Sequence, residues 1–150
     1  MKGQFEDQRV NLDRALPFVL HGCYQQLRSL TFREFQAHGL ELTPEQWIVL
    51  VRLWRKDGQS QAQLGESTLR DAPTMSRILT TMESAGLVQR VADREDARTK
   101  LIRLTRAGKA LEPRLVPVAQ KLVARLERDI PERDLEITLQ TLRRMLKNLS

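Results

Sequence analysis

The run DREDARTKLIRLT, from Asp93 to Thr105, gathers the side chains of this sequence best suited to chemistry with a polyanion. Arg94, Arg98 and Lys100 are interleaved with Asp93, Glu95 and Asp96, so the segment offers arginines with carboxylates able to hold them, not a bare cationic patch. Leu87, Val88 and Val91 on one side, and Ile102 and Leu104 on the other, have the partial alternation of short half-buried strands. The charges between them must then stand in water at a hairpin tip. An arginine held out on such a tip suits a narrow minor groove, where negative potential is concentrated. An ordinary solvated hairpin carries the same charges, and the loop alone leaves both readings open.

What precedes the loop shifts the balance. Asp71 is a good N-cap, and Met75, Ile78, Leu79 and Met82 then recur at helical spacing up to Gly86, a left-handed stop. The opposite face carries Pro73, Thr74, Arg77, Thr80 and Thr81, with Ser76 beside them. Small hydroxyl side chains and one arginine let a helix lie close in a major groove while offering donors to base edges and phosphates. Upstream, Ser60 with Gln63 forms a capping box for a second short helix, joined to the next through Leu69 to Asp71. Two short helices, a tight turn and a hairpin make a helix-turn-helix with a wing.

The segment from Thr43 to Gly108 resembles the multiple antibiotic resistance regulator (MarR) family of bacterial transcription factors, whose wing commonly reads DxxDxR followed by a hydrophobic strand and LT. Asp93, Asp96, Arg98, Leu104 and Thr105 match that pattern, and MSRILTTMESAGLVQR, Met75 to Arg90, is similar to the family's recognition helix and first wing strand. The resemblance implies that Arg98 enters the minor groove and that Asp96 steadies it. Arg94 departs from the family, where that position is often uncharged or proline, and is assigned an extra phosphate contact. The resemblance also implies a ligand pocket where the helix holding Trp47 meets the first and fifth helices, with Phe18, His21, Tyr24 and Trp47 as inner-facing candidates.

Composition agrees. A chain of 150 residues, 41% of them hydrophobic, is long enough for one domain with a real core. The net charge of +6 favours an anionic partner, nucleic acid or an anionic membrane. No stretch approaches the roughly 20 apolar residues of a membrane span. The start MKGQFEDQR lacks the hydrophobic core of a signal peptide, so the expected location is the cytoplasm, with no membrane partner. One cysteine excludes an internal disulfide framework and a cysteine zinc cluster.

The flanking helices must hold the hairpin and its helix in place. Leu16, Leu20, Cys23, Leu27 and Leu30 step by four and three, with Pro17 near the start of their helix and Gly39 closing it. Thr43, Pro44 and Gln46 open the helix of Trp47, Leu50, Val51 and Trp54, which ends in a turn at Asp57 and Gly58. After Thr105 the pattern predicts one long helix with Leu111, Leu115, Val118 and Leu122, bent near Pro113 or Pro117. Pro131 opens the last, whose Leu135, Leu139, Leu142, Leu146 and Leu149 step four, three, four, three. Any one such seam is more readily intrachain core. Three around one small domain favour a homodimer, which would set two recognition helices side by side over half-sites about 10 base pairs apart.

Single residues have plainer readings. Cys23 is read as a core thiol, with oxidant sensing as the alternative, since nothing nearby marks it as reactive. In the family's peroxide-sensing branch the reactive cysteine falls where this chain has Pro17. His21 and His38 are too isolated for a metal site, and Trp47 and Trp54 are read as core. No GxGxxG, GxxxxGK, HExxH or GxSxG occurs, so neither catalytic residues nor cofactors are assigned.

The expectation is a mainly α protein with a small β-hairpin wing, one domain over 1–150. The winged helix spans 43–108, and dimerisation helices span 10–38 and 106–149. Its partners are double-stranded DNA, a second copy and a small aromatic or phenolic effector; it acts as a repressor on a palindromic operator. The alternative from another class is a helical protein-interaction module that uses the winged helix for docking.

Overall fold

The computed structural model describes residues 11–12, 15–96 and 98–149, which form seven helices and three short strands. Local signals in the sequence set most of their ends. Helix α1, Leu16–Ala37, has Pro17 in its first turn, where a missing N–H costs nothing, and stops before Gly39 at φ 69°. Helix α2, Pro44–Arg55, is closed by a reciprocal cap: the Gln46 amide donates to Thr43 Oγ1 at 3.2 Å, and the Thr43 amide donates to Gln46 Oε1 at 3.0 Å. Ser60 and Gln63 do the same for α3, Gln61–Thr68. Helix α4, Ala72–Ser84, starts at Asp71 and ends before Gly86 at φ 70°.

The hairpin pairs β2, Val88–Ala92, antiparallel with β3, Lys100–Leu104, in the register Val88↔Leu104 and Arg90↔Ile102. Leu87, expected within the strand, lies just outside it. A two-residue strand, β1 at Gln59–Ser60, adds to the far edge of β3, giving the order β1-β3-β2. Two residues carry no periodicity, so the third strand was not expected from sequence.

The core sits between the helix-turn-helix and the sheet. Leu50, Leu53, Leu64, Met75, Leu79, Met82 and Ile102 are all buried there, with Phe35 of α1 and Leu115 of the helix after the wing entering from outside. Trp47 and Trp54 pack on the edge of this cluster instead of within it. Trp47 stands edge-on to both Phe35 and Trp54, with ring centroids 5.5 Å apart in each case.

The long helix expected after Thr105 is interrupted. Thr105 caps α5, Arg106–Ala110; Leu111 then separates it from α6, Glu112–Leu126. The interruption falls two residues before Pro113, which sits in the first turn of α6, while Pro117 lies inside α6. Helix α7, Glu132–Leu149, follows Pro131, and none of its residues is buried by its own chain.

Helix α1 behaves similarly: only Thr31 and Phe35, near its C-terminal end, are buried. Cys23, expected in the core, is therefore exposed in the protomer: it borders an open groove between α1 and α6, with Leu122 and Leu126 opposite, that its own chain does not fill. Among the described residues no helix is long and apolar enough to cross a membrane.

Candidate nucleic-acid interface

Two elements carry the residues singled out for DNA, and each is braced in its own way. On α4 the Thr74 amide donates to Asp71 Oδ1 at 2.7 Å. That bond, helped by the nearby Arg77 and Arg70 charges, holds the Asp71 carboxyl below the ordinary aspartate range. The carboxylate and the exposed N–H groups of the helix start thus satisfy one another. Met75, Leu79 and Met82 are buried beneath. Pro73, Arg77 and Thr80 are exposed on the opposite face, with Thr74 and Ser76 partly so. The Thr81 hydroxyl is engaged by its own helix, donating to the Arg77 carbonyl at 3.0 Å, while the residue stays exposed.

In the wing loop the carboxylates do something other than what their spacing suggested. Asp96 Oδ1 accepts from the Arg98 amide at 3.0 Å, and Asp96 Oδ2 accepts from the Thr99 hydroxyl, also at 3.0 Å. Asp93 Oδ1 accepts from the Glu95 amide at 3.1 Å. They fold the backbone of the tip; they do not clamp the guanidinium groups. Among the described residues no carboxylate stands within ion-pair distance of Arg94 or Arg98, and Arg94, Arg98 and Lys100 are all exposed. The loop is shaped by aspartates and leaves its cations unspent, the arrangement a phosphate or minor-groove contact requires.

Other residues, with no motif to announce them, fix the wing to the helices. Asp57 Oδ1 accepts from the Gly58 amide at 3.0 Å and from the Leu104 amide at 2.9 Å, tying the end of α2 to the end of β3. Trp54 Nε1 donates to the Gly108 carbonyl at 3.0 Å. The Thr105 hydroxyl donates to the Gly86 carbonyl at 2.6 Å, and Glu83 of α4 pairs with Arg90 of β2. Asp57 before Gly58 had signalled only a turn; its second bond spans 47 residues.

Of the ligand-pocket candidates, Tyr24 and Trp47 line one cavity of about 190 Å³ between α1, α2 and α6, together with Leu27, Arg28, Ile48 and Ala119. Phe18 and His21 are exposed on α1 and do not line it. Trp47 also borders a second, apolar groove of about 490 Å³ between α2 and α6, which Trp54 and Val116 help to line. At the mouth of the first cavity Arg28 Nε donates to Glu45 Oε1 at 2.8 Å. Partial burial raises the Glu45 carboxyl, but this bond, its own backbone amide and Thr43 outweigh that and leave it below the ordinary range. Among the described residues no three of His, Cys, Asp or Glu come together in a way that could hold a metal ion.

A model of the MarR family matches residues 42–100, from the cap of α2 to the end of the wing loop. The chain is 32% identical over 109 residues to the HTH-type transcriptional regulator TtmR of Methylorubrum extorquens strain PA1; the alignment covers 73% of this chain and 55% of that protein. It therefore spans about half the length of that relative. A probable transcriptional regulator from Pseudomonas aeruginosa, solved by crystallography, is 32% identical with a TM-score of 0.74, covering 93% of this chain and 100% of that one. The fold is also that of Staphylococcus aureus MepR, solved in complex with DNA, at a TM-score of 0.82 and 22% identity over 92% of this chain and 99% of that one. With capped helices, turn, exposed α4 face and aspartate-shaped wing in the order the family model spans, the chain belongs to the MarR family of transcriptional regulators.

Proposed function

We propose that this chain is a cytoplasmic repressor that binds a palindromic operator as a homodimer and releases it when a small aromatic or phenolic effector enters the protomer. It acts by binding, not catalysis. Helix α4 enters the major groove, where Thr74, Ser76, Arg77 and Thr80 meet bases and phosphates and Pro73 lets its first turn approach closely. Arg98 reaches the minor groove from a tip that Asp96 shapes, and Arg94 and Lys100 meet phosphates. The observation that carries this reading is the wing loop: its aspartates are committed to backbone amides and a hydroxyl, while its arginines are exposed and, among the described residues, pair with no carboxylate. A protein-docking wing has no need of that division of labour.

The homodimer rests on α7, none of whose residues is buried within its own chain and of which only Leu135, Leu142 and Met145 are partly covered, and on the exposed apolar residues Phe18, Val19 and Leu20 of α1. Tyr24 and Trp47 support the effector, as two aromatic walls of a cavity sized for a single ring.

Selection from a pool of randomised DNA duplexes tests the whole reading. The expected product is an inverted repeat whose half-sites lie about 10 base pairs apart. Recovery of no preferred sequence would refute DNA recognition, and recovery of a lone half-site would refute the two-fold arrangement.

A further inference from the structure

Tyr24 faces two ways. One edge of its ring lines the cavity between α1, α2 and α6, while its hydroxyl, on a side chain 47% exposed, accepts a hydrogen bond from Arg70 Nη2 at 3.4 Å. Arg70 belongs to the turn between α3 and α4, one residue before the cap of α4.

That turn is stiff. Leu69 takes the left-handed conformation at φ 56°, and the Arg70 amide donates to the Gly65 carbonyl at 2.9 Å. The Arg70 carbonyl sits 3.0 Å from where a Cβ on Gly65 would stand. A pull on Arg70 is thus not absorbed by the turn but passes to Asp71 and the first turn of α4, which carries Thr74 and, one turn on, Arg77. The bond from Tyr24 is long for its type, so a small rotation of the ring breaks it. A molecule lying in the cavity touches that ring.

We propose that Tyr24 is a positioning residue: through Arg70 it makes the placement of the start of α4 depend on whether the cavity is filled. This rests on the reading of α4 as the DNA-reading helix and of the effector as the signal for release.

The test uses two substitutions and their combination in the full chain, assayed on the selected duplex. Tyr24→Phe keeps the ring and removes the hydroxyl. Ile48→Phe enlarges a side chain that lines this cavity and is partly exposed, so it fills the space without a ligand; Ile48→Met serves if the first does not fold. Tyr24→Phe is expected to weaken binding by about 2- to 10-fold, the range of one modest hydrogen bond. The dependence of affinity on salt should not change, because Tyr24 meets no phosphate, whereas loss of a phosphate contact lowers that slope by about 0.9. Ile48→Phe is expected to weaken binding similarly, and the pair to be no weaker than either alone, since both act through one contact. Wild-type affinity in Tyr24→Phe, or effects that multiply in the pair, would overturn the proposal while leaving DNA recognition intact. A wild type that selects no duplex would overturn both.

Discussion

Replacing Leu139 and Leu146 of α7 by glutamate isolates the subunit interface from the fold. The two leucines lie seven residues apart on one stripe, 53% and 52% exposed in the protomer, on a helix that buries none of its residues within the chain. Full burial of a leucine side chain stabilises by about 1.5 to 3 kcal/mol, so covering the exposed half of each gives about 0.8 to 1.5 kcal/mol. Two such residues on each of two subunits related by a two-fold axis contribute about 3 to 6 kcal/mol, or about two to four orders of magnitude in dimer affinity. Glutamates at those positions add the cost of desolvating charge. Light scattering at about 10 μM, where an interface of standard size holds the wild type together, is expected to show dimer mass for the wild type and monomer mass for the variant. Circular dichroism separates this from unfolding. An isolated 18-residue helix without a packing surface is marginal in water, so the variant loses at most the helicity of α7 and keeps the cooperative melting of the winged helix. A wild-type protein of monomer mass, or a variant that stays dimeric, would refute the assignment of this stripe and with it the palindromic operator.

Other outcomes follow from the same geometry. Arg98→Ala should weaken specific DNA binding by about 1 to 3 kcal/mol and flatten its salt dependence without moving the melting temperature; unchanged affinity would remove Arg98 from the groove. Gly108→Ala places a Cβ against the Leu87 carbonyl oxygen and 3.1 Å from Leu104 Cδ2, at the residue whose carbonyl holds Trp54. An overpacking cost of about 1 to 3 kcal/mol should lower the melting temperature by about 3 to 12 °C, and a variant melting like wild type would show that the α5 junction yields freely. The Asp71 carboxyl titrates below its unfolded value of about 3.9, so its contribution is complete above that pH and fades as pH falls through the lower folded value. Urea midpoints measured from pH 5 to pH 2 should therefore fall less steeply in Asp71→Ala than in the wild type, and parallel slopes would refute the linkage.

What was legible in the sequence is what local chemistry decides. The caps at Thr43, Ser60 and Asp71 each need an acceptor and an amide three residues apart, and the stops at Gly39 and Gly86 need one residue free to take positive φ. Such signals survive any tertiary context. The residues that fasten the wing could not be read this way, because Asp57 finds Leu104 and Trp54 finds Gly108 only after the chain has folded back on itself. The wing loop illustrates the same limit at short range. Interleaved charges suggested side-chain ion pairs, but an aspartate two residues before an amide satisfies it more readily than it reaches a flexible guanidinium. Cys23 was misplaced for the converse reason: a seam of four and three says which face is apolar, not whether this chain covers it.

The distribution of long-range bonds decides which parts of the molecule move together. Trp54 to Gly108, Asp57 to Leu104, Thr105 to Gly86 and Glu83 to Arg90 all join elements inside the segment from α2 to α5. Between that segment and α1, by contrast, stand the open cavity, the 3.4 Å bond of Tyr24 and one ion pair, Arg28 with Glu45, whose side chains are 45% and 20% exposed. A single pair with a half-exposed partner stabilises modestly. Phe35, fully buried, is what pins α1 to the core, and it lies near the helix's C-terminal end. Displacement therefore costs least as a swing of the whole winged helix about Phe35, with α4 and the wing fixed to each other. In a two-fold dimer such a swing changes the distance between the two α4 helices and leaves each one's base contacts intact. Filling the cavity should then shift the preferred half-site spacing in a duplex selection while the half-site sequence stays the same; a changed half-site sequence would mean that α4 moves relative to its own wing.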